Sequence, residues 1–195
     1  MNPILLKGST QSAEPAFELF AAEIAEGVLT PEEASAKIAQ HSGEIAIAYQ
    51  LMEEKLHRYA IALKPDDVFL VHGSTMGDWA INDKVAKIAH DAKSLARSNG
   101  LTGITFDTSL AAYLVNPGVR SQELKDIQER WGDGTAINQT SPEQELLTSA
   151  RAMFVLRDSL TRELKERNLW ELFMTMELPV ADLLGRMEAV GVAVN

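Results

Sequence analysis

The sequence contains no cysteine in its 195 residues, so disulfides, thiolate-bound metals and cysteine nucleophiles are excluded, and a reducing compartment is permitted. It also lacks any apolar run near the roughly 18 residues that a membrane span requires. The amino-terminal Met1-Asn2-Pro3-Ile4-Leu5-Leu6-Lys7 has neither a charged leader nor a long apolar core, which fits a cytoplasmic chain. Basic residues are scarce: 18 Lys and Arg stand against 28 Asp and Glu, and the resulting net charge of −10 repels a polyanion. Tight nucleic-acid binding by the chain alone is therefore not expected. Gly73, Gly77 and Gly100 show no phosphate-loop spacing, and no Gly-x-Ser-x-Gly or Ser/His/Asp arrangement stands out.

What is present reads as one α/β domain. The first forty residues have helical texture, with Phe17, Leu19, Phe20 and Ile24 on one apolar face before Gly27. Thr30-Pro31-Glu32-Glu33 combines a cap, a proline at the first helical position and acids in the first turn, which starts a helix running to about His41. From Glu44 the pattern changes to short apolar runs, Ile45 to Tyr49, Tyr59 to Leu63 and Val68 to Val71, which predict a three-strand meander. Lys84 to His90 is expected as a fourth strand, Asp91 to Ser98 as a short helix, Gly103 to Phe106 as a fifth strand and Ser109 to Val115 as a helix. Beyond Pro117-Gly118 the chain is helical except for a polar loop from Gly132 to Ser141. The helix from Pro142 towards Arg167 carries Leu146, Leu147, Ala150, Met153, Phe154, Leu156 and Leu160 on a wide buried face.

Two polar features invite a chemical reading. His90-Asp91 at a strand end has the residue types of a catalytic or metal element, yet Asp91 also suits the cap of the following helix while His90 packs at the sheet edge. Asp107 is placed either as a metal ligand at a strand end or, with Thr108, as the cap of the helix beginning near Ser109. In both cases capping is the preferred reading. His41, His57 and His72 lack ligand spacing and read as surface residues. Met174, Met176 and Met187 read as core or inter-domain packing, and Glu53-Glu54-Lys55 and Arg162 to Arg167 as solvated faces.

Three segments carry a family likeness. Gly103 to Trp131 (GITFDTSLAAYLVNPGVRSQELKDIQERW) has a Phe-Asp-Thr strand end, a Leu-Ala-Ala-Tyr-Leu helix, an Asn-Pro-Gly turn and an Arg-Ser-x-x-Leu-x-x-Ile helix start. His90-Asp91-Ala92-Lys93 forms a second strand end, and Glu177-Leu178-Pro179 opens an amphipathic helix with Leu183, Leu184 and Met187, followed by Gly191-Val192-Ala193-Val194. Together they resemble the 3′-5′ exonuclease-like domain of bacterial DNA polymerase I, family A, in its actinobacterial branch, with the last segment matching the passage into the polymerase domain. The resemblance implies a ribonuclease H-like fold: a mixed five-stranded sheet, a three-strand antiparallel meander then β-α-β, with flanking helices and a helical C-terminal third.

Active members of this family hold two divalent metals with an Asp-x-Glu on the first strand, an Asp on the helix after the fourth strand and a Tyr-x-x-x-Asp on a late helix. Two hard cations about 4 Å apart need such oxygen ligands. Here the family acids are expected near Tyr49, Leu51 and Leu95, and Leu147 to Ala152 (LTSARA) stands where the Tyr and Asp belong. No catalytic, cofactor or metal residue is therefore expected, and the likeness implies a vestigial proofreading domain.

The implied layout is an N-terminal helical segment over residues 1–43, the exonuclease-like domain over 44–169 and a junction over 170–195 leading to a polymerase domain. That domain is the implied partner, with Mg2+ and DNA contact belonging to the parent enzyme. Two alternatives stand beside this reading. One is an active two-metal exonuclease whose relocated ligands Glu44, Glu53, Asp91 and Asp107 converge. The other is a free-standing acidic interaction module.

Overall fold

A computed structural model describes residues 27–119, 121–135, 137 and 141–191. The expected apolar face of Phe17, Leu19, Phe20 and Ile24 and the extended residues after Gly191 lie outside the described residues. A sheet of six strands runs in the order β1-β4-β3-β2-β5-β6, where β1 is Val28–Leu29, β2 Ile45–Met52, β3 Lys55–Lys64, β4 Asp67–His72, β5 Lys87–Ala89 and β6 Ile104–Asp107. β2, β3 and β4 form the antiparallel meander, while β5 and β6 continue the sheet in parallel from β2. The sixth strand, β1, pairs in parallel with β4. Two residues between Gly27 and a helix cap are too short to show alternation, which is why the sequence pattern gives five strands.

Helices cover both faces. α1 (Pro31–Ala39) begins at a reciprocal cap: the Glu33 amide donates to Thr30 Oγ1 at 3.2 Å and the Thr30 amide donates to Glu33 Oε2 at 2.9 Å. α2 (Ala92–Asn99) is capped by Asp91 and stops at Gly100, whose φ of 70° is accessible to glycine at little cost. α3 (Thr108–Val115) and α4 (Leu124–Trp131) lead to α5 (Pro142–Glu166), 25 residues long, whose first turn is closed by Ser141 Oγ accepting from the Gln144 amide. α6 (Trp170–Leu172) passes through a single π turn at Phe173–Glu177 into α7 (Leu178–Val190).

Strand alternation divides the core in two. Ala46, Ala48, Ala60 and Ala62 share one face with Val68, Leu70, Ile88 and Phe106, and α3, α4 and α5 pack against it. Ile45, Ile47, Tyr59, Ile61, Phe69 and Val71 fill the other face with Trp79, Leu95 and residues of α1. The alanines are the reason a long helix seats close against the meander, and each buried isoleucine opposite contributes on the order of 2–3 kcal/mol. Phe173 is fully buried, 5.0 Å from the Phe106 ring and 5.9 Å from the Trp170 ring, and so ties the segment after α5 to the sheet.

The fourth strand is shorter than the expected Lys84 to His90. The Lys84 amide is taken by Asn82 Oδ1 and the Val85 amide by Asn82 O, which makes a turn of the strand's first residues. Lys87 within β5 has no exposed surface, and its ammonium donates to the carbonyls of Asn82, Val85 and Thr102 at 2.7–3.0 Å. Burial pushes the Lys87 ammonium down to about 8 from 10.5, against the opposing pull of Asp83. Between pH 8 and 10 the unfolded chain therefore keeps a proton that the folded chain releases, so this group adds stability as pH rises. Buried Tyr49 and Tyr59 act in the opposite sense only above about pH 10, where tyrosines of the unfolded chain ionise. Denaturant melts of wild type and Lys87→Met at pH 7, 8, 9 and 10 should show their stability difference growing in favour of wild type above pH 8; a constant difference contradicts the assignment.

Candidate functional site

A cleft of about 350 Å³ opens at the end of the sheet where β2 and β5 finish. Ala48 and Gln50 of β2 form its floor, His90 and Asp91 follow β5, and Glu145, Ser149 and Met153 line it from α5. Ser149 and Met153 are one turn apart, so both face the sheet from the same side of the helix. A bulge follows Gln50, where Leu51 pairs with Leu56 after Gln50 pairs with Arg58.

The expected acid positions divide differently from the sequence alignment. Tyr49 and Leu51 pack against the cluster that contains fully buried Leu95, beneath the opposite face of the sheet. Tyr49 borders the cleft, and its hydroxyl donates to the Asp91 carbonyl at 2.7 Å. Burial raises this phenol above its ordinary value, with the charges of Asp91 and Asp107 adding to the effect. The residues of β2 that line the cleft from the alanine face are Ala48 and Gln50, one place earlier than the expected Tyr49 and Leu51. A shift of one residue exchanges the two faces of a strand. On α5, the cleft-lining pair is Ser149 and Met153, which has the Tyr-x-x-x-Asp spacing but neither residue type.

Beside Glu145, which lines the cleft from α5, Asp91, Asp107 and Glu44 are engaged with other groups. Asp91 sits in the left-handed region at φ 53°, and its side chain accepts from Ser94 Oγ at 2.5 Å as the cap of α2. Asp107, 3% exposed, accepts from the amides of Asp91 (3.2 Å), Ala92 (2.8 Å), Ser109 (2.9 Å) and Leu110 (3.2 Å). Burial pushes its carboxyl up, while the amide of Ala92, His90 and the amide of Leu110 draw it down. His90 Nδ1 lies 3.0 Å from Thr108 Oγ1, and burial lowers its pKa against the pull of Asp107 and Asp91.

Glu44 is paired with Arg157 and accepts from Thr105, and Glu53 lies exposed in the β2–β3 turn. The four proposed relocated ligands thus hold separate posts, and among the described residues no group of three or more His, Asp or Glu is placed to hold a metal. His57 and His72 are exposed as expected, whereas His41 is half-buried; Met174, Met176 and Met187 are exposed, so they are not core residues of this domain.

Residues 31–139 match the sequence model of the family described as DNA polymerase I, ribonuclease H-like domain. DNA polymerase I of Mycobacterium tuberculosis H37Rv is 33% identical over 154 residues, 68% of this chain and 16% of that protein. DNA polymerase I of Bacillus subtilis is 31% identical over 151 residues, 67% of this chain and 17% of that protein. The chain thus spans about one sixth of the length of these relatives. Among solved structures, the POL domain of Pol1 from M. smegmatis, in complex with DNA primer-template and dNTP, superposes with a TM-score of 0.74 at 30% identity, covering 87% of this chain and 32% of that one. Brucella melitensis NrnC, at 13% identity and TM-score 0.63 over 76% of this chain and 85% of that one, shares the fold.

Asp107→Asn replaces an acceptor of four amides by a group that presents two N–H donors to some of them. Equilibrium unfolding should show a loss of about 2–4 kcal/mol, whereas a loss below about 1 kcal/mol would show that the bridge between the two helix starts is not needed.

Proposed function

We propose that this chain, which belongs to the ribonuclease H-like domain family of DNA polymerase I, is a degenerate proofreading domain that hydrolyses no DNA and serves as a structural unit of a longer family A polymerase. The observation that carries this reading is the lining of the cleft: Ala48 and Gln50 on the floor and Ser149 and Met153 on the wall supply no carboxylate. Two divalent cations require several anionic oxygens in place before they bind. The residues present do not fit a two-metal centre, and no step through such a centre is derived. Glu145 and Asp91 are the acids of the lining, and Asp91 is committed to its cap.

The structural role lies in the C-terminal third. Phe173 and Leu178 anchor α6 and α7 to the sheet, and Gly185 lets α7 approach α2, since a Cβ there would lie 3.1 Å from Ala96 Cβ. The outer side of α7 leaves Val180, Leu183, Leu184 and Met187 between 43% and 55% exposed. Such a stripe needs a neighbour, and the polymerase domain of the parent is the neighbour proposed here. In this reading the exonuclease-like domain spans residues 44–169 and residues 170–195 belong to the junction with the polymerase domain. Replication or repair synthesis, its Mg2+, its DNA contact and its cytoplasmic setting belong to the parent. The solved M. smegmatis relative, held on a primer-template, supports that placement. No helix of the described residues is long and apolar enough to cross a membrane.

Incubation of the purified chain with a 3′-labelled single-stranded oligonucleotide and millimolar Mg2+ or Mn2+ should release no label above the buffer control. Release that chelator abolishes and that follows the protein through purification refutes the inactive reading. The docking role has its own readout: amide exchange across Leu183 to Val190 should be faster in the isolated chain than in the full-length parent. Equal protection would mean that α7 packs wholly within this domain.

A further inference from the structure

Arg58 faces Gln50 in the β2–β3 register, immediately before the bulge. Its Nε–H donates to Gln50 Oε1 at 2.7 Å, and its Nη1 is paired with Glu143 in the first turn of α5. The side chain is 17% exposed. Gln50 belongs to the floor of the cleft, and Pro142, next to Glu143, belongs to its wall. One guanidinium therefore links a floor residue to the first turn of α5, beside a wall residue.

We infer that Arg58 holds the side-chain oxygen of residue 50 and so denies it to a divalent metal in this cleft, a second block to metal chemistry beside the missing acids. The inference rests on the degenerate reading above. A guanidinium keeps its charge at every accessible pH, and here it is fixed at two points and poorly screened by solvent. Glu143 offsets much of that charge, and what Arg58 denies a dication is the side-chain oxygen of residue 50, which its Nε–H already holds. The guanidinium also intercepts any carboxylate placed at position 50, because an Nε–H donor already stands at hydrogen-bond distance from that side chain's oxygen and Arg–carboxylate pairing is stronger than the present amide contact. Restoring the acids alone should thus give an internal ion pair in place of a metal site.

The test is Mn2+ binding by calorimetry to three proteins: wild type, the triple variant Ala48→Asp/Gln50→Glu/Met153→Asp, and the same triple variant with Arg58→Leu. The expected result is no binding to wild type and an affinity at least on the order of tenfold higher in the quadruple variant than in the triple variant. Equal affinity with and without Arg58 overturns this inference and leaves the inactive reading standing. Stoichiometric binding to wild type overturns both.

If the multiply substituted proteins do not fold, thermal melts of Gln50→Glu in the wild-type and Arg58→Leu backgrounds decide the matter. With Arg58 present the melting temperature should hold or rise. Without it, Gln50→Glu should lower the melting temperature, by an amount on the order of a few degrees, as a half-buried unpaired carboxylate does in a domain this long. The same change in both backgrounds overturns the inference.

Discussion

A single buried carboxylate organises the end of the sheet at which the cleft opens. Asp107 closes β6 and accepts from amides at the starts of both α2 and α3, so two helix N-termini that would otherwise bury unpaired N–H groups converge on one side chain. This convergence fixes how β5 and β6 end, holds Asp91 in its left-handed conformation and places His90 against Thr108. The positive ends of two helices also favour the ionised carboxylate that burial disfavours, which is why an acid persists here with 3% exposure. Its part is architectural: the Asp of the Phe-Asp-Thr motif caps two helix starts at once.

The rest of the cleft is built from groups suited to packing and internal pairing. Ala48 and Met153 belong to the core beneath α5, and Gln50 is engaged by Arg58. Among the described residues no carboxylate cluster is placed to hold a metal, and the attachment of α5 to the sheet has other sources. The Arg58–Glu143 pair, the Arg157–Glu44 pair and the alanine face of the meander supply that attachment instead. In this reading, loss of metal chemistry and retention of a stable fold go together, because the same positions now serve cohesion.

Much of this was legible in one dimension. Thr30-Pro31-Glu32-Glu33 states a helix start in local chemistry, and the structure shows the reciprocal cap. The runs Ile45 to Tyr49 and Tyr59 to Leu63 alternate alanine with larger residues at period two, which marks both strands and a two-sided core. Motif likeness pointed to the family that residues 31–139 match. The missed elements have local reasons: β1 is two residues long, and Asn82 turns the first part of the expected fourth strand away from the sheet.

The sequence by itself therefore determined the α/β class, the run of elements from α1 to α5 and the absence of acids from the stretch Ile45 to Met52, because these depend on residue type and short-range periodicity. Only the tertiary structure decided which residues of that stretch share the cleft. Tyr49 and Leu51 join Leu95 under one face while Ala48 and Gln50 meet Ser149 and Met153 on the other, since a strand presents alternate residues to opposite sides and register is set by pairing with distant partners. The same holds for Arg58 and Glu143, which are 85 residues apart in the chain and are brought together by the packing of α5 on the meander.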